Sequence, residues 1–264
     1  MEKIAIIGAG NLGAAIARGI AKAGIKKAEE VILTKKRKHG ADDLRSEGFL
    51  VTSENSEAVK SAGLVILCVQ PKQIAEVLSG IDKDLNEKHI LISVATGVSI
   101  DEIKSQVSLD IPIARAMPNT AVAIGQSMTC IASSDLSEEL LGSIVQIFES
   151  LGEVLVIEER MMQAATVLGA SGIAFFMRYL RAATQGGIEM GFHPEEAQKI
   201  AVQTAKGAAG LIITNGNHPE VEIDRVTTPQ GCTIAGLNEM EHQGLSSALI
   251  KGLLTSYEKI KNIK

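Results

Sequence analysis

Three stretches of this 264-residue chain combine residue types and spacings that can do chemistry. The first is Gly8-Ala9-Gly10-Asn11-Leu12-Gly13, which follows an apolar run and precedes an alanine-rich segment. In that setting the first glycine permits a tight turn and the second lets the backbone approach a pyrophosphate. The third allows close helix–strand packing, and the helix N-terminus turns free N–H groups and its positive dipole end toward phosphate. The second stretch, Thr34-Lys35-Lys36-Arg37-Lys38, begins 21 residues after Gly13. An NAD site places a carboxylate there for the ribose hydroxyls. A hydroxyl with four cations suits the additional 2′-phosphate of NADP instead, through Lys35, Lys36 or Arg37. NADPH is therefore expected over NADH, with NADH still possible; the competing reading of the run is a solvated basic patch. The third stretch is Thr227-Thr228-Pro229-Gln230-Gly231-Cys232-Thr233-Ile234-Ala235-Gly236-Leu237. It reads as a helix start with proline in the first turn and N–H groups able to hold a small carboxylate, or as an ordinary capped helix. The five histidines show neither i,i+4 pairing nor neighbouring cysteines, so no metal site is expected.

The elements that must position these residues follow from periodicity. Short β-branched runs at 4–7, 31–34, 64–69, 90–94, 113–116, 128–132 and 154–157 are separated by helix-like segments at 12–23, 42–47, 56–61, 73–81, 100–107 and 137–151. Such alternation predicts βαβ units and a mostly parallel sheet. Strand signals stop after Glu159, and only seven residues between 161 and 217 are charged. The expected fold is α/β: an N-terminal Rossmann-type dinucleotide-binding domain over 1–158, then an all-helical dimerisation domain over 159–264. Helices this apolar are hard to bury within about 100 residues, so a second copy of the chain is the expected cover.

A net charge of −5 gives no attraction to nucleic acid, and 45% apolar with 22% charged residues is a soluble globular profile. Three scattered cysteines, Cys68, Cys130 and Cys232, argue for a reducing, cytoplasmic setting. No apolar run reaches the roughly 20 residues of a membrane span, and none resembles a secretory leader.

Taken together, the motifs resemble the pyrroline-5-carboxylate reductase family, across essentially the whole chain. The matching segments are Ile6 through Gly13, Cys68-Val69-Gln70-Pro71-Lys72, Ser93-Val94-Ala95-Thr96-Gly97-Val98 and Arg115-Ala116-Met117-Pro118-Asn119-Thr120. Gly169-Ala170-Ser171-Gly172, His218-Pro219 and Thr228 to Ile234 complete the set. The resemblance implies reduction of 1-pyrroline-5-carboxylate to L-proline by hydride from NADPH, in a homodimer or ring of dimers. It also implies that Gly8 to Gly13, Thr34, Asn55, Val69, Gln70, Pro71, Ala95 and Thr96 line the cofactor. Pro118 and Asn119 would lie beside the nicotinamide, while Gly231, Cys232 and Thr233 hold the substrate. Thr233 is the candidate catalytic residue, its hydroxyl bonded to the ring nitrogen. The chain departs from the family pattern at Ile173, Phe175, Arg225, Gln230 and Cys232. Two alternatives therefore stand: a related NADPH-dependent reductase of another cyclic imine or keto acid, and a non-catalytic NADP-sensing protein.

Overall fold

The computed structural model describes residues 3–36, 39–134 and 136–261. Arg37 and Lys38 lie outside the described residues. Among those described, eight strands form one sheet: β1 (Ile4–Ile7), β2 (Val31–Thr34), β3 (Leu50–Thr52), β4 (Leu64–Leu67), β5 (Ile90–Ser93), β6 (Ile113–Met117), β7 (Ser127–Ser134) and β8 (Gly152–Val156). They are ordered β3-β2-β1-β4-β5-β6-β7-β8. The first six run parallel, β7 is antiparallel to β6, and β8 is parallel to β7. This is the dinucleotide-binding order, with chain direction across the sheet reversing between β1 and β4.

The sheet forms because its strands are apolar on both faces, as a parallel sheet covered on both sides requires. Ile4 and Ile6 join one core cluster with Ile16, Ile20 and Phe148; Ala5 and Ile7 join another with Val65, Leu67, Ile74 and Leu78. The first cluster packs under α1 (Asn11–Lys22), the helix that leaves β1. The second is covered by α3 (Asn55–Lys60) and α4 (Ile74–Ile81), after the short α2 (Ala41–Ser46), and by α5 (Ile100–Lys104). Helix α6 (Glu138–Glu149) returns to the first face, and its Ser137 hydroxyl accepts the Leu140 N–H at 3.3 Å. The sequence expectation missed β3. Its three residues, bounded by Gly48 and Ser53, are too few to show a period, and the strand is held in the sheet by pairing with β2 alone.

By internal contact the chain divides into Met1–Ser171 with Ser256–Lys264, and Gly172–Thr255. The first unit ends in α7 (Met162–Ala165) and a π-helical turn, Thr166–Ser171. The second holds α8 (Gly172–Glu189), α9 (Pro194–Asn215), α10 (Pro219–Arg225), α11 (Cys232–His242) and the start of α12 (Leu245–Lys261). Pro194 opens α9 in its first turn, where its missing N–H costs nothing, and Gly216 closes it in a left-handed conformation at φ 65. Among the described residues no helix is long and apolar enough to cross a membrane.

Candidate functional site

Each loop that leaves the carboxyl end of a parallel strand in the first unit carries one of the predicted cofactor or nicotinamide residues. Gly8 to Gly13 follow β1, Lys35 follows β2, and Asn55 follows β3. Val69, Gln70 and Pro71 follow β4, Ala95 and Thr96 follow β5, and Pro118 and Asn119 follow β6. Ligands of open parallel sheets bind at this edge.

The three glycines are required for three different reasons. Gly8 has φ +101, and a Cβ there would stand 2.6 Å from the Cys68 carbonyl oxygen. A Cβ on Gly13 would run into the Gly8 carbonyl oxygen. A Cβ on Gly10 would meet nothing within 4 Å. Gly10 caps α1 with an extended φ of −78 and no side-chain partner for the first N–H groups. The fold thus leaves room above Gly10 and an uncapped helix end facing it, which fits a pyrophosphate. Beneath the turn, Cys68 keeps part of its surface open, yet burial pushes its thiol up to about 12, so it stays a protonated packing group.

The end of β2 is tied to this turn. Thr34 is buried, and its hydroxyl accepts the Gly8 N–H at 3.1 Å while its carbonyl accepts the Ala9 N–H at 2.7 Å. The Lys35 ammonium donates to the Ala9 carbonyl at 2.9 Å. Both side chains thus hold the glycine turn in shape. Lys36, which is exposed, forms a 3.1 Å ion pair with Glu76 on α4.

On the far side of β1, Pro71 opens a single 3-10 turn and Val69 packs against Gly8. The Ala95 N–H donates to the buried Ser93 hydroxyl at 3.3 Å. Asn119 is held at three points. Its N–H donates to Ser127 Oγ at 3.1 Å, its Oδ1 accepts the Ala121 N–H at 2.9 Å, and its Nδ2 donates to the Gly169 carbonyl at 3.2 Å. Gly169 lies in the π turn, whose widened backbone is the kind found at functional sites. Ser127 had no sequence signal, because a serine opening a strand has no period to mark it. Buried Arg115 pairs with Glu159 at 3.1 Å, and the same carboxylate oxygen accepts the Ile100 N–H at 2.7 Å, fixing the start of α5 behind the Ala95–Thr96 loop.

In the second unit the predicted helix start is placed differently. Proline does not open α11; Thr228-Pro229-Gln230-Gly231 forms a turn closed by the Gly231 N–H on the Thr228 carbonyl at 2.9 Å. Pro229 sits where its ring presets φ, and Gln230 takes φ 60, as the third residue of a type II turn must. The helix begins at Cys232, with Gly231 as a cap that has no side-chain partner. A Cβ on Gly231 would stand 2.5 Å from Thr228 Oγ1. Cys232 and Thr233 therefore occupy the first two helical positions, whose N–H groups point outward unpaired by helix geometry. Arg225 is tied back to Glu222 at 2.7 Å. Asn217, then Asn215 and Arg225, hold the Glu222 carboxyl below the usual carboxylate range. Ile173 and Phe175 are half-buried on α8.

Residues 159–263 match the family model described as pyrroline-5-carboxylate reductase dimerisation, and residues 3–97 match that of NADP oxidoreductase, coenzyme F420-dependent. The chain is 48% identical to Pyrroline-5-carboxylate reductase 1 of Dictyostelium discoideum, over 98% of this chain and 49% of that protein, so it spans about half of that relative. It is 46% identical to Pyrroline-5-carboxylate reductase 2 of the same organism, over 98% of this chain and 92% of that protein. The solved 1-pyrroline-5-carboxylate reductase of Streptococcus pyogenes superposes with a TM-score of 0.88 at 28% identity, covering 99% of both chains.

Proposed function

The chain belongs to the pyrroline-5-carboxylate reductase family, and from that premise we propose that it reduces 1-pyrroline-5-carboxylate to L-proline with NADPH in the cytoplasm. The observation that carries this reading is the 46% identity to a reductase of that name along 92% of its length. The bound nicotinamide supplies hydride to the carbon of the C=N bond. A ring nitrogen that already carries a proton makes that carbon electrophilic, so the chain's work is placement. Gly10 and the first turn of α1 bind the pyrophosphate, and Val69 to Pro71, Ala95 and Thr96 line the rest of the cofactor. Pro118 and Asn119 flank the nicotinamide, Asn119 held rigid by Ser127 and Gly169. Gly231, whose own N–H closes the turn on Thr228, lets Cys232 and Thr233 offer their N–H groups to the substrate carboxylate. Thr233 Oγ1 accepts from the protonated ring nitrogen and holds its orientation until the amine forms.

The direct test is loss of NADPH absorbance on adding 1-pyrroline-5-carboxylate, with proline as the product, and rescue of a proline auxotroph. A protein that binds NADPH without turning over this imine would support the sensing alternative; turnover of a different imine would support the related reductase. Thr233→Ala is expected to lower kcat by about 10- to 100-fold, the size of one hydrogen bond to a charged group worth roughly 1.5–3 kcal/mol, with the Kd for NADPH unmoved. Unchanged turnover would remove Thr233 from the reaction.

Cofactor choice is also measurable. A charge-assisted hydrogen bond to a 2′-phosphate is worth roughly 1.5–3 kcal/mol, so NADPH should bind at least about tenfold more tightly than NADH. The margin should shrink as salt rises, because Lys36 at the end of β2 is exposed. Equal affinities at low salt would end the NADPH assignment.

A further inference from the structure

The three side chains described at the end of β2 divide into two kinds. Thr34 and Lys35 are committed to the glycine turn through Gly8 and Ala9, so they serve NADH and NADPH alike. Lys36 is committed elsewhere. Its ammonium crosses to the Glu76 carboxylate on α4, at 3.1 Å, with both side chains 71% exposed. Strand β1 lies between β2 and β4, so this pair spans the two loops that flank the glycine turn. That is the place beyond β2 where the 2′ position of a bound adenosine lies. An exposed ion pair contributes little to stability and exchanges partners readily. A 2′-phosphate arriving there meets a cation already paired and a carboxylate of its own sign.

We propose that Glu76 is a specificity-determining residue: its carboxylate competes with the 2′-phosphate for Lys36 and narrows the preference for NADPH. This rests on the NADPH reading above. It assigns to a helix residue of the β4–α4 segment a role that the run 34–38 does not reveal.

Calorimetric titration of the whole protein with 2′,5′-ADP and with 5′-ADP tests this without turnover. Glu76→Gln should tighten 2′,5′-ADP about three- to tenfold at low salt, the size given by unit charges a few ångströms apart in water. It should leave 5′-ADP where it was, and the gain should vanish when Lys36→Ala is added. No change on Glu76→Gln, equal tightening of both fragments, or a gain that survives Lys36→Ala would each overturn the proposal. A wild-type protein that binds both fragments equally would instead count against the NADPH reading. Discrimination in the wild type without a Glu76 effect would leave that reading standing and sink only this one.

Discussion

Gly10→Ala is expected to leave the apo protein's thermal unfolding close to that of the wild type and to weaken NADPH binding by at least about 100-fold, near 2.7 kcal/mol. The backbone at Gly10 is extended at φ −78, which alanine adopts freely, and the added methyl meets nothing within 4 Å. The methyl instead fills the space that a pyrophosphate would take against the end of α1. Gly8→Ala should behave in the opposite way. A left-handed φ of +101 costs alanine about 1–3 kcal/mol, and a Cβ 2.6 Å from the Cys68 carbonyl forces a further shift of β4's end, of similar cost. At about 2–4 °C per kcal/mol, its melting temperature should fall by roughly 5–20 °C. Calorimetry of the two apo variants beside NADPH titration separates the roles. If Gly10→Ala bound NADPH normally, the turn would be a packing device and no phosphate site.

The contrast shows what the primary structure can and cannot disclose. All seven predicted strands begin within two residues of their expected starts, and the first five begin at the expected residue, because each of these five is an apolar run long enough to stand out and packed into both cores. The glycine turn was readable for the same reason: three glycines at fixed offsets sit between two strong elements. What escaped depends on partners remote in sequence. Thr34 reads as a hydroxyl for the cofactor, yet its oxygen holds Gly8, 26 residues away. Lys35 reads as a phosphate ligand, and its ammonium closes on the Ala9 carbonyl. Pro229 reads as a first-turn proline, but a positive φ at Gln230 makes it part of a turn that ends before α11 starts. Backbone sign and side-chain direction are set by tertiary contacts, and no local spacing reports them.

The second unit explains why assembly should matter as much as chemistry. Among the described residues of Gly172–Thr255 only Gly172, Gly187 and Ala197 are buried. Helices α8 and α9 meet closely at Gly187, where a Cβ would stand 2.8 Å from the Ala197 Cβ. Larger apolar residues on these helices and in the turn between them are left exposed: Phe176 is 72% exposed, Met190 77% and Ile213 83%. Fully burying one such side chain gains about 1.5–3 kcal/mol, so leaving this set in water is costly. The family model that matches residues 159–263 is described as a dimerisation region, and we infer that a second copy covers these helices. In a two-fold interface each substitution acts twice. Ile213→Asp should therefore cost about 4–6 kcal/mol of association, a 10³- to 10⁴-fold rise in the dimer Kd. Sedimentation equilibrium should find the wild type as a dimer or a multiple of one, and Ile213→Asp largely monomeric with exposed apolar surface that binds a hydrophobic dye. A monomeric wild type would leave these helices without a partner and overturn the assignment. An unshifted Ile213→Asp dimer would move the interface off this face of α9.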